Sequence, residues 1–373
     1  MSVIDVAGQV RAGEELDIVA VSNWLRQQQI DVQEPVEVTQ YSGGASNWTY
    51  RLRYQNADYI LRRPPNGTKA KSAHDMAREY KVQSALKDLY PVVPEMVALC
   101  QDESVIGCDF YVMQRIPGII PRAKLPPELQ FGESEVHQLC TNVLDKLIEL
   151  HQVPYQGTAL EQLGKGEGYC RRQVEGWDRR YEKVITLNVP SFKYVRKWLL
   201  DHIPEDSTSC LIHNDWRFDN VILDPVQPTK VIGVLDWEMA TIGDPLMDLG
   251  SALAYWVEEN DNMIFKSTRR QPTHLKGMFT RAEVVQYYLN KTGLKPNNWT
   301  FYEVFGIFRL AVIAQQIYYR YYHKQTDNPS FKDFWIVIHA LHIRALKLIG
   351  VNKIEASELA QKYLSQLQDI LPR

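Results

Sequence analysis

One polar loop constrains the fold of this chain more than any other feature of its sequence. The loop reads His213-Asn214-Asp215 and reaches Asn220 five residues after Asp215, and Asp236 follows 21 residues after Asp215. Apolar residues on both sides of a turn lie between Asn220 and Asp236, which predicts a short hairpin. A hairpin returns its two ends to one place, so we expect two carboxylates and one amide to meet there.

The oxygen atoms of this loop suit phosphoryl transfer from a nucleoside triphosphate. That reaction needs one carboxylate near the acceptor hydroxyl, together with acid and amide oxygens that hold Mg²⁺ against the phosphates. The spacing lets Asp215 face the acceptor while Asn220 and Asp236 face the metal. The alternative is that His213 and Asp215 only fix a turn and that Asp236 caps a strand, because Asp is a common turn residue. The order and spacing of the whole motif favour the chemical interpretation.

The chain is long enough to hold a buried core and more than one domain. It has 373 residues, and at roughly 100–200 residues per domain it has room for two or three. Apolar residues make up 45% of the chain and charged residues 23%, as in globular proteins. The net charge of -3 gives no overall field that would recruit nucleic acid or an anionic membrane, so neither is expected as a partner.

The cysteines and the start of the sequence predict a cytoplasmic protein. Five cysteines are scattered without a C-x-x-C pair, and an odd number cannot all pair within one chain. The first residues lack the basic start and apolar run of a secretory signal. The apolar stretch 334–343 is far shorter than the ~20 residues of a spanning helix, so no membrane segment is expected.

The sequence before residue 116 reads as a small β-rich lobe. A helix is predicted over 16–29, and a second one begins at a capping box from Ser72 to Asp75 and runs to about residue 89. The predicted strands span residues 36–40, 48–54, 57–62, 92–99 and 109–114. The sequence Arg115-Ile116-Pro117-Gly118 interrupts this pattern, which places the lobe boundary after residue 115.

Residues 116–373 are predicted to form a larger helical lobe. Apolar residues from Val136 to Leu147 recur at the spacing of one helical face, which predicts a buried amphipathic helix over 133–151. Residues 171–201 and 281–371 are also helix-like. The predicted fold class is therefore α+β, with a small β-rich N-lobe and a large helical C-lobe.

These motifs resemble those of the aminoglycoside phosphotransferase and choline kinase family of small-molecule kinases, which share the protein-kinase fold. The resemblance covers nearly the whole chain and rests on Leu211-Ile212-His213-Asn214-Asp215, Asn220, Leu235-Asp236-Trp237-Glu238 and Gly243-Asp244-Pro245 with Asp248-Leu249. The segments Ser-Gly-Gly-Ala-Ser-Asn and Leu-Arg-Arg-Pro-Pro also resemble the branch related to kinase-like domains fused to acyl-CoA dehydrogenases.

The resemblance implies roles for the acids of the motif. Asp215 is expected to be the catalytic base, Asn220 and Asp236 are expected to hold Mg²⁺, and Asp248 is expected to brace the catalytic loop. It also implies that residues 1–115 form a nucleotide-binding lobe and residues 116–373 a catalytic and substrate lobe. ATP is the expected co-substrate.

The predicted nucleotide site draws on three further segments. Ser42, Gly43, Gly44, Ala45, Ser46 and Asn47 form a predicted phosphate-covering turn, because glycine lets backbone amides approach a phosphate. Taken alone, such a turn is more often only a turn. The resemblance also places adenine against the backbone near Met113 and Arg115, whereas residues 111–112 read as apolar core.

Arg62 stands where a kinase normally has a lysine for the α- and β-phosphates, paired with a glutamate of the next helix. Glu79 lies where that partner is expected, so we predict an Arg62–Glu79 pair. The alternative is two exposed surface charges, with Arg63 an equally charged neighbour. A planar guanidinium grips phosphate differently from an ammonium, so the substitution leaves a catalytically silent nucleotide-binding protein as a rival interpretation.

The acceptor is the least determined part of the sequence. Arg171 and Arg172 with Trp177 suit an anionic acceptor, whereas Glu258 after Tyr255-Trp256 suits a cation. A solvated helix face is the alternative for the first group, and core packing is the alternative for Tyr318 and its neighbouring tyrosines. We predict a Mg²⁺-dependent kinase of a small-molecule hydroxyl, with an anionic hydroxyacyl compound as the candidate acceptor and an aminoglycoside or choline kinase as the alternative enzyme.

Overall fold

The computed structural model describes residues 4–41, 47–65 and 75–351. Over these ranges the chain divides into two compact units. The first unit comprises Met1–Leu163 and Phe218–Ala240, and the second comprises Gly164–Arg217 and Thr241–Arg373. The boundary predicted after residue 115 lies inside the first unit, and as a division between nucleotide and substrate lobes it stays a prediction.

An antiparallel sheet is the centre of the first unit. Its five strands within the described residues run in the order β1-β2-β3-β5-β4. The strands are β1 Glu37–Gln40, β2 Trp48–Arg53, β3 Asp58–Arg63, β4 Met96–Cys100 and β5 Phe110–Gln114. The strand predicted over 92–99 begins later, at Met96, because Pro94 has no N–H for a ladder.

Alternation along β3 sends successive side chains to two different cores. Leu61 packs with Val112 in the cluster that includes Trp24 of the first helix, whereas Ile60 packs with Met113 and Met76 in a second cluster. Successive side chains of a strand point to opposite faces. This period of two decides the directions of Arg62 and Arg63 at the end of the strand.

Four helices and a second antiparallel strand pair complete the described part of the first unit. The helices are α1 Ile18–Gln27, α2 Met76–Leu86, α3 Glu103–Ile106 and α4 Glu133–His151, and the hairpin strands are β7 Val221–Leu223 and β8 Val231–Val234. Helix α4 matches the predicted range. Helix α2 is capped by Asp75, whose side chain accepts from the Arg78 N–H, and it ends at Leu86 rather than near residue 89. The predicted capping residue Ser72 lies outside the described residues.

In the described residues of the second unit, the regular structure is helical apart from the pair β6 Cys210–Ile212 and β9 Thr241–Gly243. The predicted helical segment 171–201 is two helices separated around Pro190. The segment 281–371 contains three helices up to residue 351, and its last part lies outside the described residues. The helices of this unit are α5 Tyr169–Val184, α6 Lys193–Asp201, α7 Pro245–Ala254, α8 Met263–Ser267, α9 Arg281–Thr292, α10 Trp299–Tyr322 and α11 Phe334–Leu348.

Two glycines allow α7 and α10 to pack at short range. A Cβ at Gly250 would collide with the carbonyl of Tyr302, and a Cβ at Gly306 would collide with the carbonyl of Gly250. This crossing fixes α7, which carries Asp248, against α10 within the second unit. No helix within the described ranges has the length and apolar character needed to span a membrane.

Candidate functional site

The predicted catalytic loop follows β6 in the second unit and is held by a buried carboxylate of α7. Asp248 is fully buried and accepts from the backbone N–H of His213 at 2.9 Å and of Asn214 at 2.8 Å. Asn214 has a φ of 64°, a left-handed conformation that Asn tolerates better than most residues. These contacts are the bracing of the loop that the resemblance implies for Asp248.

Asp215 is held from both sides within the second unit. Its backbone N–H donates to Nδ1 of the fully buried His213 at 3.2 Å, so that nitrogen acts as an acceptor. Its Oδ2 lies 3.4 Å from Nη2 of Arg217, and the Arg217 guanidinium lies 5.2 Å from the centre of the Tyr255 ring. The carboxylate remains partly accessible, with 19% of the side chain exposed, as a group that meets a substrate requires.

The hairpin β7–β8 brings Asn220 and Asp236 together in the first unit. Val221 pairs with Val234, and the N–H of Leu235 donates to the carbonyl of Asn220 at 2.8 Å. Asp236 follows with a φ of 67° and begins a single 3-10 turn, Trp237–Met239. The predicted return of the hairpin to its starting point is thus present in the structure.

The segment after β5 attaches this hairpin to the rest of the first unit. Ile119 and Leu223 exchange backbone hydrogen bonds of 3.0 and 2.8 Å, and a Cβ at the preceding Gly118 would collide with the side chain of Ile222. Val234 donates to the carbonyl of Val92 at 2.7 Å. Glycine at position 118 is therefore required for this close approach of two backbones.

Arg62 connects Glu79 and Asp236. Its Nη1 donates to Oε1 of Glu79 at 2.7 Å, and its Nη2 donates to Oδ1 of Asp236 at 3.1 Å. The side chain of Glu79 is 1% exposed, so the predicted pair is present and the alternative of two exposed surface charges is wrong. Burial raises the pKa of Glu79, and the charge of Arg62 opposes that rise.

Arg63 points away from this cluster, as alternation along β3 requires. Its guanidinium lies 5.2 Å from the centre of the Trp48 ring, and its Nε donates to the carbonyl of Pro64 at 3.2 Å. The choice between two adjacent arginines is therefore decided by strand geometry in favour of Arg62.

The acidic loop after β8 has two partners in the first unit that the sequence reading did not identify. Arg78 of α2 donates to the carbonyl of Glu238 at 2.8 Å and also to the carbonyl of Ala240. The buried Asn47 donates from Nδ2 to Oε2 of Glu238 at 3.1 Å. Asn47 is the described end of the predicted phosphate-covering turn, and Ser42, Gly43, Gly44, Ala45 and Ser46 lie outside the described residues.

A mainly apolar pocket lies in the first unit beside the hairpin. Its lining includes Ile60, Met113, Arg115, Ile222 and Leu235, so both residues predicted near the adenine contribute to it. The N–H of Arg115 already donates to the carbonyl of Asp58 at 3.1 Å. An adenine contact at Arg115 would therefore use another group of that residue, and the role of both residues stays a prediction.

The predicted basic acceptor residues on α5 have different surroundings. The Arg171 side chain is 64% exposed and lies 3.8 Å from Glu175, and Arg172 donates to the carbonyl of Gly166 at 2.7 Å. Trp177 is buried, and the guanidinium groups of Arg180 and Arg309 lie 4.5 and 5.3 Å from its ring centre. Arg309 was not identified from the sequence, although a single charge in the apolar run Phe305 to Val312 is a recognisable signal.

The other two acceptor candidates are engaged elsewhere in the second unit. Glu258 accepts from the backbone N–H of Arg281 at 2.6 Å and pairs with the Arg281 guanidinium at 3.0 Å. Tyr318 is buried, and its hydroxyl accepts from Asn188 at 2.7 Å. Their predicted contact with an acceptor has no support in these interactions and stays a prediction.

The donor set at Asn220 and Asp236 fits Mg²⁺. Carboxylate and amide oxygens are hard ligands, and Mg²⁺ is usually held by one or two protein ligands with phosphate oxygens and water completing its shell. Among the described residues, no group of three or more His, Cys, Asp or Glu side chains could hold a metal alone. A site made of one acid and one amide thus suits a metal that arrives with a phosphate ligand.

Comparison with known proteins agrees with these motifs. A family model described as "Phosphotransferase enzyme family" matches residues 37–284. The mouse protein acyl-CoA dehydrogenase family member 10 is 36% identical over 298 residues, which are 79% of this chain and 28% of that protein. The chain thus spans less than a third of the length of this relative.

Solved structures agree as well. A Ralstonia eutropha structure, provisionally described as an aminoglycoside phosphotransferase, has a TM-score of 0.74 at 28% identity and covers 90% of this chain and 98% of its own. APH(2")-IIia in its GDP and kanamycin complex has a TM-score of 0.61 at 14% identity, covering 87% and 98%, and this likeness concerns the fold alone. The two-lobed protein-kinase-like fold that the motifs predicted is therefore the fold of this chain. Because the family model matches about two thirds of the residues of this chain, the chain belongs to the phosphotransferase enzyme family.

Proposed function

We propose that this chain transfers the γ-phosphoryl group of ATP, with Mg²⁺, to the hydroxyl of a small molecule. The observation that carries the proposal is the meeting of Asn220 and Asp236 at the ends of one hairpin, with Asp215 five residues before Asn220 on a braced loop. Five residues of chain, each spanning at most ~3.6 Å, join Asp215 to Asn220. The donor types are those that phosphoryl transfer needs.

In this proposal each residue has one task. Asp215 accepts the proton of the acceptor hydroxyl. The hydroxyl oxygen then bonds to the γ-phosphorus while the bond between the γ-phosphorus and the oxygen bridging to the β-phosphate breaks, which releases ADP. His213 and Asp248 hold the loop so that the Asp215 carboxylate keeps its direction. Asn220 and Asp236 would hold Mg²⁺, which when bound neutralises charge on the phosphates. Arg62, held by Glu79, would supply the phosphate contact of the usual lysine.

We further propose that the acceptor is anionic, of the hydroxyacyl thioester type. The name of the related mouse protein refers to acyl-CoA, and Arg172, whose neighbour Arg171 lies beside Glu175, has no carboxylate partner among the described residues, which favours an anion. The competing cationic acceptor, such as an aminoglycoside, relies on the acids after Trp256. Glu258 and Asp261 already pair with Arg281, and Glu259 lies 3.3 Å from Lys266, so this patch is neutralised within the second unit.

A second candidate function follows from the contact of Arg62 with Asp236. A guanidinium on the expected metal ligand is compatible with a catalytically silent protein that binds nucleotide without transferring phosphate. An ADP-release assay separates the two. The full chain would be mixed with ATP and Mg²⁺ and offered hydroxyacyl-CoA thioesters, free hydroxy acids, choline or kanamycin.

The kinase proposal predicts ADP release that depends on one of these hydroxyl compounds and falls by about 10²–10⁴ in Asp215→Asn. Asp201→Asn is the matched control, because Asp201 is an exposed acid that pairs with Lys197 at 2.7 Å. Activity of Asp215→Asn within a factor of two of the parent would remove Asp215 as the base. Nucleotide binding without acceptor-dependent ADP release would favour the silent protein, and preferred use of kanamycin would overturn the anionic acceptor.

A further inference from the structure

A buried cation without a carboxylate partner lies beside the predicted catalytic loop. Arg309 is on α10 and is 4% exposed. Its Nη2 donates to the carbonyl of Asn214 at 2.7 Å, and it makes no ion pair with any described residue. A buried charge normally has a charged partner, because desolvation without one is costly. An anion from outside the chain would provide the charged partner that the described residues do not supply to Arg309.

A second cation shares the ring of Trp177 with Arg309. The guanidinium of Arg180, on α5, lies 4.5 Å from the ring centre, and that of Arg309 lies 5.3 Å from it. Arg180 also has no ion pair in the part of the chain that the structure describes. Arg180 is exposed at the surface, and partial desolvation of its guanidinium, followed by the positive charge of Arg309, lowers its pKa. Two like charges held against one aromatic ring repel each other, and an anion between them would relieve that repulsion.

Two buried or half-buried arginines of the second unit, Arg196 and Arg344, have carboxylate partners. Arg196 lies 2.5 Å from Asp178 and contacts Glu182 at the same distance. Like Arg309, Arg344 has its guanidinium near an aromatic ring, at 5.2 Å from the ring centre of Phe265. Unlike Arg309, it has a carboxylate partner, Asp261, at 3.9 Å. Arg180 and Arg309 thus differ from arginines of the same unit whose role is structural.

We propose that Arg180 and Arg309 form an anion-binding subsite of the acceptor site, and that the acceptor places a carboxylate or phosphate group there. The inference rests on the proposed function, because it takes Asp215 as the group that the acceptor hydroxyl approaches. Arg309 contacts Asn214, the residue next to Asp215, so the subsite adjoins the base along the chain. Guanidinium groups bind the planar or tetrahedral oxygens of such anions with two donors each, and the Trp177 ring orients both.

Calorimetry without nucleotide tests the subsite separately from phosphoryl transfer. The ligands are 3-hydroxybutyrate, 3-hydroxybutyryl-CoA and the neutral 1,3-butanediol. We expect Arg309→Gln and Arg180→Gln each to weaken binding of an anionic ligand about tenfold or more, the effect of losing a hydrogen bond to a charged group. If the variants bind 3-hydroxybutyrate more weakly than the parent does, the subsite binds its carboxylate. If only the binding of 3-hydroxybutyryl-CoA is weakened, the subsite binds the phosphate groups of coenzyme A.

Arg344→Gln is the matched control and should leave both anionic affinities unchanged. Arg309→Lys keeps the charge and should retain most of the affinity, and thermal melting of each variant shows whether it folds. If Arg309→Gln fails to fold, Arg180→Gln and Arg309→Lys carry the test. If 1,3-butanediol gives too little heat for calorimetry, its KM in the ATP-dependent reaction is compared between the parent and the variants instead.

Three results would overturn the subsite. The first is unchanged anionic affinity in folded Arg180→Gln and in whichever Arg309 variant folds. The second is equal weakening for anionic and neutral ligands, which would make Arg309 only a brace for the loop. The third is no binding of either anionic ligand to the parent chain. Arginine-dependent anion binding without any ADP release would instead reject the kinase proposal and leave the subsite in place.

Discussion

Arg62 donates a hydrogen bond of 3.1 Å to Asp236, the carboxylate expected to hold Mg²⁺. The same guanidinium donates to the buried Glu79 at 2.7 Å, so the end of β3, helix α2 and the loop after β8 are joined through one side chain. Any cation that binds Asp236 must therefore share this carboxylate with Arg62 or displace it. The pairing makes the position of Asp236 dependent on Arg62 and Glu79.

The first prediction concerns the stability of this cluster. Arg62→Met should lower the free energy of unfolding by about 3 kcal/mol, because it leaves the Glu79 carboxylate buried without its cation. The double variant Arg62→Met/Glu79→Leu should recover most of that loss, since no buried charge remains at position 79. Urea unfolding of the parent, both single variants and the double variant measures the coupling. A double variant as unstable as the sum of the single variants would show that the two residues act independently.

The second prediction concerns the metal. Asp236→Ala should abolish the part of nucleotide binding that requires Mg²⁺, because the carboxylate is the main protein ligand in this proposal. Asp224→Ala is the control, because Asp224 lies in the turn of the same hairpin and accepts from the N–H groups of Val226 and Gln227. Calorimetric titrations of ATP with and without Mg²⁺ provide the measurement. An unchanged Mg²⁺ effect in Asp236→Ala would contradict the assignment.

The core of the site could be predicted because its signals are local in the sequence. The hairpin follows from apolar runs around a turn, so the meeting of Asn220 and Asp236 was readable without a structure. The Arg62–Glu79 pair was predicted from the kinase pattern, in which a cation on the third strand pairs with a glutamate of the next helix. Helix α4 was also predicted with its observed ends, since its apolar spacing is regular from Val136 to Leu147, over more than three turns.

The remaining contacts depend on residues far apart in the chain and could not be predicted. Arg309 lies 95 residues from Asn214, and nothing in local spacing connects them. Asn47 and Glu238 are 191 residues apart. The segment 171–201 was predicted as helix-like throughout, although Pro190 is a visible helix breaker, and α5 ends at Val184, before that proline is reached. Tertiary packing decides such cases.

The third prediction concerns the crossing of α7 and α10. Gly250→Ala and Gly306→Ala should each destabilise the second unit by about 1–3 kcal/mol, because the added methyl group meets a backbone carbonyl that cannot move away easily. Gly176→Ala is the control. Gly176 lies inside α5 with open space around its Cβ position, so alanine there should stabilise the helix by about 0.5–1 kcal/mol.

Thermal and urea unfolding of the three variants test this contrast. Because α7 carries Asp248 and α10 carries Arg309, the two destabilising variants should also lower phosphoryl transfer more than Gly176→Ala does. Equal stability of all three glycine variants would mean that the helices can separate without cost, which contradicts the packing described above.

The last prediction concerns the acid sensitivity of the second unit. His342 on α11 is 6% exposed, with its ring centre 4.5 Å from that of Phe192. Burial, together with the nearby His339, lowers its pKa to about 4. An unfolded histidine has a pKa near ~6.5, so below that pH the unfolded chain binds a proton that folded His342 does not.

The contribution of neutral His342 to stability is therefore complete above about pH 6.5 and is lost as the pH falls towards its folded pKa of about 4. At pH 5 the loss amounts to about 2 kcal/mol. His342→Phe keeps an aromatic ring against Phe192 and removes this titration, so its stability should fall less between pH 7.5 and pH 5. Urea unfolding of both chains at the two pH values gives the comparison, and the carboxylates that titrate in both chains cancel from the difference. Parallel losses of stability in the two chains would show that His342 takes no part in the acid sensitivity.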